Sequence, residues 1–116
     1  MLSHRHASDS IAVVRATGEL DVNSAHGLRE RLADAIRDGH GDLVIDLTGV
    51  TFIDSTGLSL LLNAQRRLTR ACRRLALAVG SGPVLRALQV TRLDWTFDVF
   101  DDVAAARAGL ASRVRG

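Results

Sequence analysis

The chain has 116 residues, 47% of them hydrophobic, with three Phe, one Trp and no Tyr. That is enough for one domain with an aliphatic core that needs no disulfide or structural metal, and the lone Cys72 could build neither a disulfide framework nor a cysteine metal cluster. All 15 basic residues are Arg and the net charge is only +2, so the isoelectric point near 9.9 reflects guanidinium groups that stay protonated, not a surface built for nucleic acid or an anionic membrane.

Residues 1–10 (MLSHRHASDS) are polar and irregular, at most a weak edge strand followed by a turn. They lack the apolar segment of a secretion signal, and no stretch of the chain is long enough to span a bilayer, so a cytoplasmic location is expected. Residues 11–17 (IAVVRAT) are β-branched and apolar and predict a strand with Arg15 outward. Gly18-Glu19-Leu20-Asp21 breaks it. Asn23 or Ser24 can cap the next helix, because each offers a side-chain acceptor to the first free N–H groups. Leu28, Leu32, Ala35 and Ile36 then form one apolar face of a helix that runs to about Asp38 and stops at Gly39-His40-Gly41.

Residues 42–47 hold Leu43, Val44 and Ile45 in a contiguous run, as in a strand covered on both faces, and a polar turn follows. Val50, Phe52 and Ile53 lead into Asp54-Ser55-Thr56-Gly57, and a long helix is predicted over residues 56–71. Leu58, Leu61, Leu62, Gln65, Leu68 and Cys72 mark one side of it. Arg66, Arg67, Arg70 and Arg73 mark the other. Residues 75–79 (LALAV) predict a buried strand, and Gly80-Ser81-Gly82-Pro83 a turn with Pro83 at the first position of a helix. Val84, Leu85 and Leu88 give that helix its buried stripe. Residues 95–100 (WTFDVF) alternate as a short strand. Asp101 is expected to cap a last helix with Val103, Ala104, Ala106 and Leu110 inward, and Gly109 and the Arg-rich tail to fray. The order β-α-β-α-β-α-β-α predicts a sheet rich in parallel pairs joined by helical crossovers.

The segment with most chemistry is IDLTGVTFIDSTGLSLLL (residues 45–62). It presents the Ser55 hydroxyl at a helix N-terminus, where backbone N–H groups and the helix dipole favour negative charge. On local pattern alone, Asp54 or Ser55 is simply an N-cap. A hydrolase nucleophile is disfavoured: Ile53 stands where the nucleophile elbow needs a small residue, and His4, His6, His26 and His40 show no triad spacing. Gly80-Ser81-Gly82 has no Lys and no phosphate-loop spacing, so it reads as a strand-to-helix turn. In an open α/β sheet the loops at the C-terminal strand ends share one rim, which predicts that those after Leu47, Val79 and Thr17 converge near Ser55. Glu19 and Asp21 read as a polar turn rather than a base pair or metal ligands. The Arg66 to Arg74 run reads as a solvated face, since it lacks the aromatic partners of a nucleic-acid surface. Trp95 reads as a core-edge anchor.

Three motifs resemble the STAS domain family, and within it the small single-domain anti-sigma factor antagonists of bacteria. TGELDVNSAHGL (residues 17–28) is similar to the family's first strand-to-helix segment. DLTGVTFIDSTGLSLLL (residues 46–62) is similar to its signature, with an acceptor serine followed by Ser or Thr and then Gly. VGSGPVLRALQVTRLDWTFDVFDD (residues 79–102) is similar to its third strand-to-helix region and last strand. Ala71-Cys72 stand where a glycine-containing turn is common.

The resemblance implies one α/β domain: a small mixed β-sheet with about four helices, mostly on one face. It implies a partner-switching module without catalysis or cofactor of its own. The unphosphorylated form would bind an anti-sigma factor serine kinase and release a sigma factor, as in a stress response. The kinase, with ATP and Mg²⁺, would phosphorylate Ser55 and so end binding, and a serine phosphatase would reverse this. Asp21 would influence the phosphorylation. The expected partner surface includes Leu20, Asp21, Asn23, Phe52, Asp54, Ser55, Thr56, Gly57, Leu58 and Ser81. No direct nucleic-acid or membrane partner is expected. The alternatives are a STAS subunit of a transporter or signalling scaffold with Ser55 unmodified, and a small nucleotide-binding regulator using the same rim.

Overall fold

The alternation of strands and helices is present in the computed structural model, which describes residues 11–112. Strand β1 (Ala12–Leu20) leads to helix α1 (Ala25–Asp38), and β2 (Leu43–Ile53) leads to α2 (Ser55–Arg70). Strand β3 (Leu75–Ala78) leads to α3 (Pro83–Val90), and β4 (Asp98–Phe100) leads to α4 (Val103–Ser112). A 3-10 turn, Leu93–Trp95, separates α3 from β4. The described strands form one sheet in the order β1-β2-β3-β4, with every neighbouring pair parallel. A parallel pair cannot be closed by a tight turn, and a helix makes each return crossing. The weak edge strand considered for residues 1–10 lies outside the described residues.

Strand residues alternate between the two sheet faces, and the two faces are covered unequally. Val14, Leu43, Ile45, Leu47, Leu75 and Leu77 pack against Leu28 and Leu32 of α1, Leu61 and Leu68 of α2, and Val84 and Leu88 of α3. Val44, Ala76 and Ala78 face the other way, onto Ala106 and Leu110 of α4. Three helices on one face and one on the other agree with the expected layering.

The first two strands are longer than the sequence suggested. Thr48 and Gly49, read as a turn, continue β2, and Gly18 to Leu20 continue β1. The two strands stay paired through register shifts between Arg15 and Thr17 and between Gly18 and Glu19, where Gly18 takes a φ of 76°. The polar residues fit because Thr48, Gly49, Thr51 and Phe52 face solvent. By contrast β3 stops at Ala78, and Gly80 turns the chain at a φ of 63°. The β1–β2 pair therefore projects past its neighbours as a two-stranded arm, and α2 starts from its tip.

Asp46 sits at the root of this arm, 3% exposed. Its carboxylate accepts from the Thr48 N–H (3.0 Å), the Thr48 hydroxyl (2.7 Å) and Arg15 Nε (3.3 Å). Burial alone would push its pKa up, but the Thr48 hydrogen bonds and then Arg15 outweigh it and hold the carboxyl below its ordinary value. Arg15 is largely exposed, so the Thr48 bonds matter more.

Helix α2 ends on a left-handed residue, Cys72, with φ at 60°, at the place where the resemblance leads one to expect a glycine-containing turn. Cys72 N–H donates to Thr69 O (3.0 Å) and Arg73 N–H to Leu68 O (2.8 Å), the bond pair of a Schellman stop. Arg73 and Arg74 are not part of a solvated face. Arg73 donates to the Ile36 and Gly41 carbonyls at 2.8 and 2.7 Å, which closes the end of α1, and Arg74 donates to Asp42 and to Leu110 O. Two further expectations change. Asp102, not Asp101, caps α4, accepting from Ala105 N–H at 2.8 Å, and Ala104 faces solvent. Gly109 does not fray: it lies within α4 against the Phe100 ring, where a side chain would collide.

Two substitutions test these readings. Cys72→Gly removes a side chain from a left-handed position and is expected to stabilise the fold by about 1 kcal/mol in chemical denaturation. Asp46→Asn is expected to lower stability by about 1 kcal/mol at pH near 7. A depressed carboxyl pKa contributes stability above the ordinary value of 3.8 and loses it as pH falls through the lower folded value, so the gap between wild type and variant should close in acid.

Candidate functional site

The tip of the β1–β2 arm is locked by backbone contacts. Asp54 N–H donates to Leu20 O at 3.2 Å, which ties the start of α2 to the end of β1. A side chain on Gly57 would begin 2.9 Å from that same carbonyl oxygen and 2.7 Å from Ile53. Only glycine lets the first turn of α2 lie this close to the strand end. Leu20, 3% exposed, and Gly57 are consequently buried beneath the surface, not displayed on it as expected.

Asp54 caps α2. Its Oδ1 accepts from Thr56 N–H at 2.9 Å and Gly57 N–H at 3.2 Å. Those are two of the donors that a helix N-terminus offers an anion, so an acidic side chain already holds them. Ser55 is the first residue of the helix and is exposed. Thr56 and Leu58 are half-buried. On the β1 side, Asp21 organises the turn into α1. Its Oδ1 accepts from Asn23 N–H (3.0 Å), Ser24 N–H (3.1 Å) and the Ser24 hydroxyl (3.1 Å). The Ser24 hydroxyl also lies 2.6 Å from Glu19 O. Neither Asn23 nor Ser24 caps α1 through its side chain; Asp21, upstream, holds the entry turn instead. Among the described residues, no group of three acidic, His or Cys side chains could hold a metal, and no helix is long and apolar enough to cross a membrane.

Ser55 stands on the rim of a groove of about 700 Å³. One wall is Phe52, Ile53, Asp54, Ser55 and Leu58; the other is α3 with Gly82, Pro83, Arg86, Ala87, Val90 and Thr91. Pro83, Arg86, Ala87 and Val90 recur at spacings of three, one and three, one face of a helix. The walls are mainly apolar, and Phe52 and Val90 are 50% and 77% exposed. Of the three strand-end loops expected to converge, the turn after Val79 reaches the groove through Gly82, the first wall comes from the end of β2 beyond Leu47, and the residues after Thr17 continue β1 and do not line it. Ser81 is exposed in the turn before α3 and does not line the groove. Trp95 is 87% exposed in its 3-10 turn and is no core-edge anchor.

Gly57→Ala tests the junction. Alanine is the better helix former, yet it would press on a backbone carbonyl that cannot yield cheaply, so a loss of about 1–3 kcal/mol in unfolding free energy is expected.

This architecture has known relatives. Residues 5–106 match the STAS domain family. An anti-sigma factor antagonist from Mycobacterium paratuberculosis has a TM-score of 0.80 and 27% identity, over 94% of this chain and 91% of that one. The anti-sigma factor antagonist SpoIIAA in its unphosphorylated form has a TM-score of 0.66 and 26% identity, over 92% and 91% of the two chains. The STAS domain of a SulP transporter from Vibrio cholerae shares the fold, with a TM-score of 0.70 and 16% identity over 91% and 84%. No curated protein matches the sequence. A match over most of the chain, joined to the parallel sheet and the Asp54-Ser55-Thr56-Gly57 helix start, means that this protein belongs to the STAS domain family.

Proposed function

We propose that this chain is an anti-sigma factor antagonist that binds an anti-sigma factor serine kinase, frees a sigma factor, and is switched off by phosphorylation of Ser55. The observation that carries this reading is the exposed Ser55 on the rim of a largely apolar groove. The two antagonists at 27% and 26% identity support it, one of them named in an unphosphorylated form. The function needs no cofactor held by this chain, and its setting would be the cytoplasm.

The chemistry asks little of the substrate beyond access. The kinase transfers the γ-phosphoryl group of ATP, held with Mg²⁺, to Ser55 Oγ. The hydroxyl proton passes to a base on the kinase and ADP departs. A serine phosphatase hydrolyses the ester and restores the hydroxyl. The modified residue gains about −1.5 to −2 charges. Asp54 lies beside it and holds the Thr56 and Gly57 N–H groups, so those donors do not neutralise the phosphate. An anion left on the rim of an apolar docking face must be desolvated when the partner returns, and that cost falls on binding. Asp21 contributes by holding the neighbouring turn in shape. Phe52, Leu58 and the α3 stripe supply the apolar contact.

Two measurements test this. Protein isolated from its native cells should carry one phosphate by intact mass, absent in Ser55→Ala; a phosphate that persists in that variant overturns the acceptor assignment. Capture on the unphosphorylated protein should recover an anti-sigma factor kinase, and Ser55→Glu should weaken that binding about a hundredfold with little change in thermal unfolding. Equal binding by both forms would refute the switch.

A further inference from the structure

Arg86 is a cation without an assigned role in a groove that is otherwise nearly apolar. It stands on the α3 stripe that faces the first turn of α2, between Pro83 and Val90. The charged side chains lining the groove are Asp54 and Arg86. The Asp54 carboxylate is engaged by Thr56 and Gly57 N–H, and among the described residues the Arg86 guanidinium has no hydrogen-bond or ion-pair partner. Arg15, Arg37, Arg73 and Arg74 each bond to a carboxylate or a carbonyl, and other surface arginines such as Arg29 and Arg70 show no such bond among the described residues but lie outside this groove. Arg86 therefore keeps its donors free on the wall opposite the Ser55 hydroxyl.

We infer that Arg86 is the receptor for a phosphate on Ser55, so that phosphorylation bridges α2 to α3 across the groove and covers its apolar walls. This rests on Ser55 being the acceptor, as proposed above, and adds what the phosphate does next. A planar guanidinium presents a fork of donors matched to phosphate oxygens. Two backbone donors beside Ser55, the Thr56 and Gly57 N–H groups, are held by Asp54, which also repels a second anion. The free countercharge across the groove is Arg86. Pairing would lay the Arg86 stem over Ala87 and Leu58 and draw the two walls together at the mouth. The switch then has two parts: a charge on the rim, and a groove no longer open to a partner's side chains.

The test uses full-length protein with phosphoserine placed genetically at position 55, so it does not depend on any kinase. The phosphorus resonance is titrated by NMR in the wild-type background and in Arg86→Gln, with an unfolded phosphoserine peptide as reference. Asp54 acts equally in both proteins and cancels from the comparison. A partnered dianion should ionise about one pH unit lower in wild type than in Arg86→Gln, with Arg86→Lys between them. The Arg86 Nε–H signal should also shift and become protected when Ser55 carries phosphate. Coincident titrations in wild type and Arg86→Gln, with the wild-type Nε–H signal unchanged, would overturn the pairing. Arg86 is exposed, so the variant is expected to fold, which its unfolding curve verifies. A native protein that never carries phosphate would overturn the proposed function instead, and this titration would still report on the pairing.

Discussion

The carbonyl oxygen of Leu20 is the point on which the site depends. It takes the N–H of Asp54 and leaves no room for a side chain on Gly57. The end of β1, the end of β2 and the first turn of α2 are thus held to one another by backbone, with Leu20 itself buried beneath. Asp54 then fastens the turn from the other side by accepting from Thr56 and Gly57. Between these fixtures Ser55 is left facing out. Its exposure follows from the backbone around it and owes little to the serine, so a group attached to the hydroxyl would meet solvent and not the core.

A second consequence concerns the sheet. Because β2 outruns β3, the first turn of α2 stands on an arm and not flush with the strand ends. Helix α3, starting after the Gly80 turn, flanks that arm. The groove is the space between them, and its mainly apolar walls stay open to solvent, with Phe52 half exposed and Val90 more so. Asp46 and Thr48 brace the root of the arm, where a buried carboxylate is tolerable only because three donors meet it.

Much of this fold was legible in the sequence, for local reasons. Runs such as Leu43-Val44-Ile45 belong to strands covered on both faces, and the Leu28, Leu32, Ile36 spacing describes a helix with one buried side. Pro83 at the start of α3 was equally plain. What was not legible depends on distant parts of the chain. Thr48 and Gly49 look like a turn until Thr17 and Gly18 are seen paired with Gly49 and Val50. Leu20 looks like a loop residue between Glu19 and Asp21 until α2 covers it. Arg73 and Arg74 look solvated until the carbonyls of Ile36, Gly41 and Leu110 are brought to them. Trp95, an aromatic in an alternating segment, suggests a strand, yet Arg92 in a left-handed conformation opens a 3-10 turn there. For the site, the Ser55 helix start could be read directly. The groove could not, since α3 and the β2 end are remote in sequence.

The placement of Asp54 also bears on why such a serine would serve as a switch and not as a phosphate store. A helix start with free N–H groups would hold a phosphate and quench its charge, and an approaching protein would feel little of it. Here a carboxylate occupies those donors before any modification. On the proposed reading, a phosphate added beside it keeps its charge for whatever lies across the groove. In the free protein that is Arg86; in a complex it would be the partner's buried surface, which has no reason to accept it. The two demands compete for one space. On that reading, a fold that blunts the helix dipole with its own carboxylate and leaves Arg86 unpaired on the opposite wall would make the bound and modified states mutually exclusive without moving a strand.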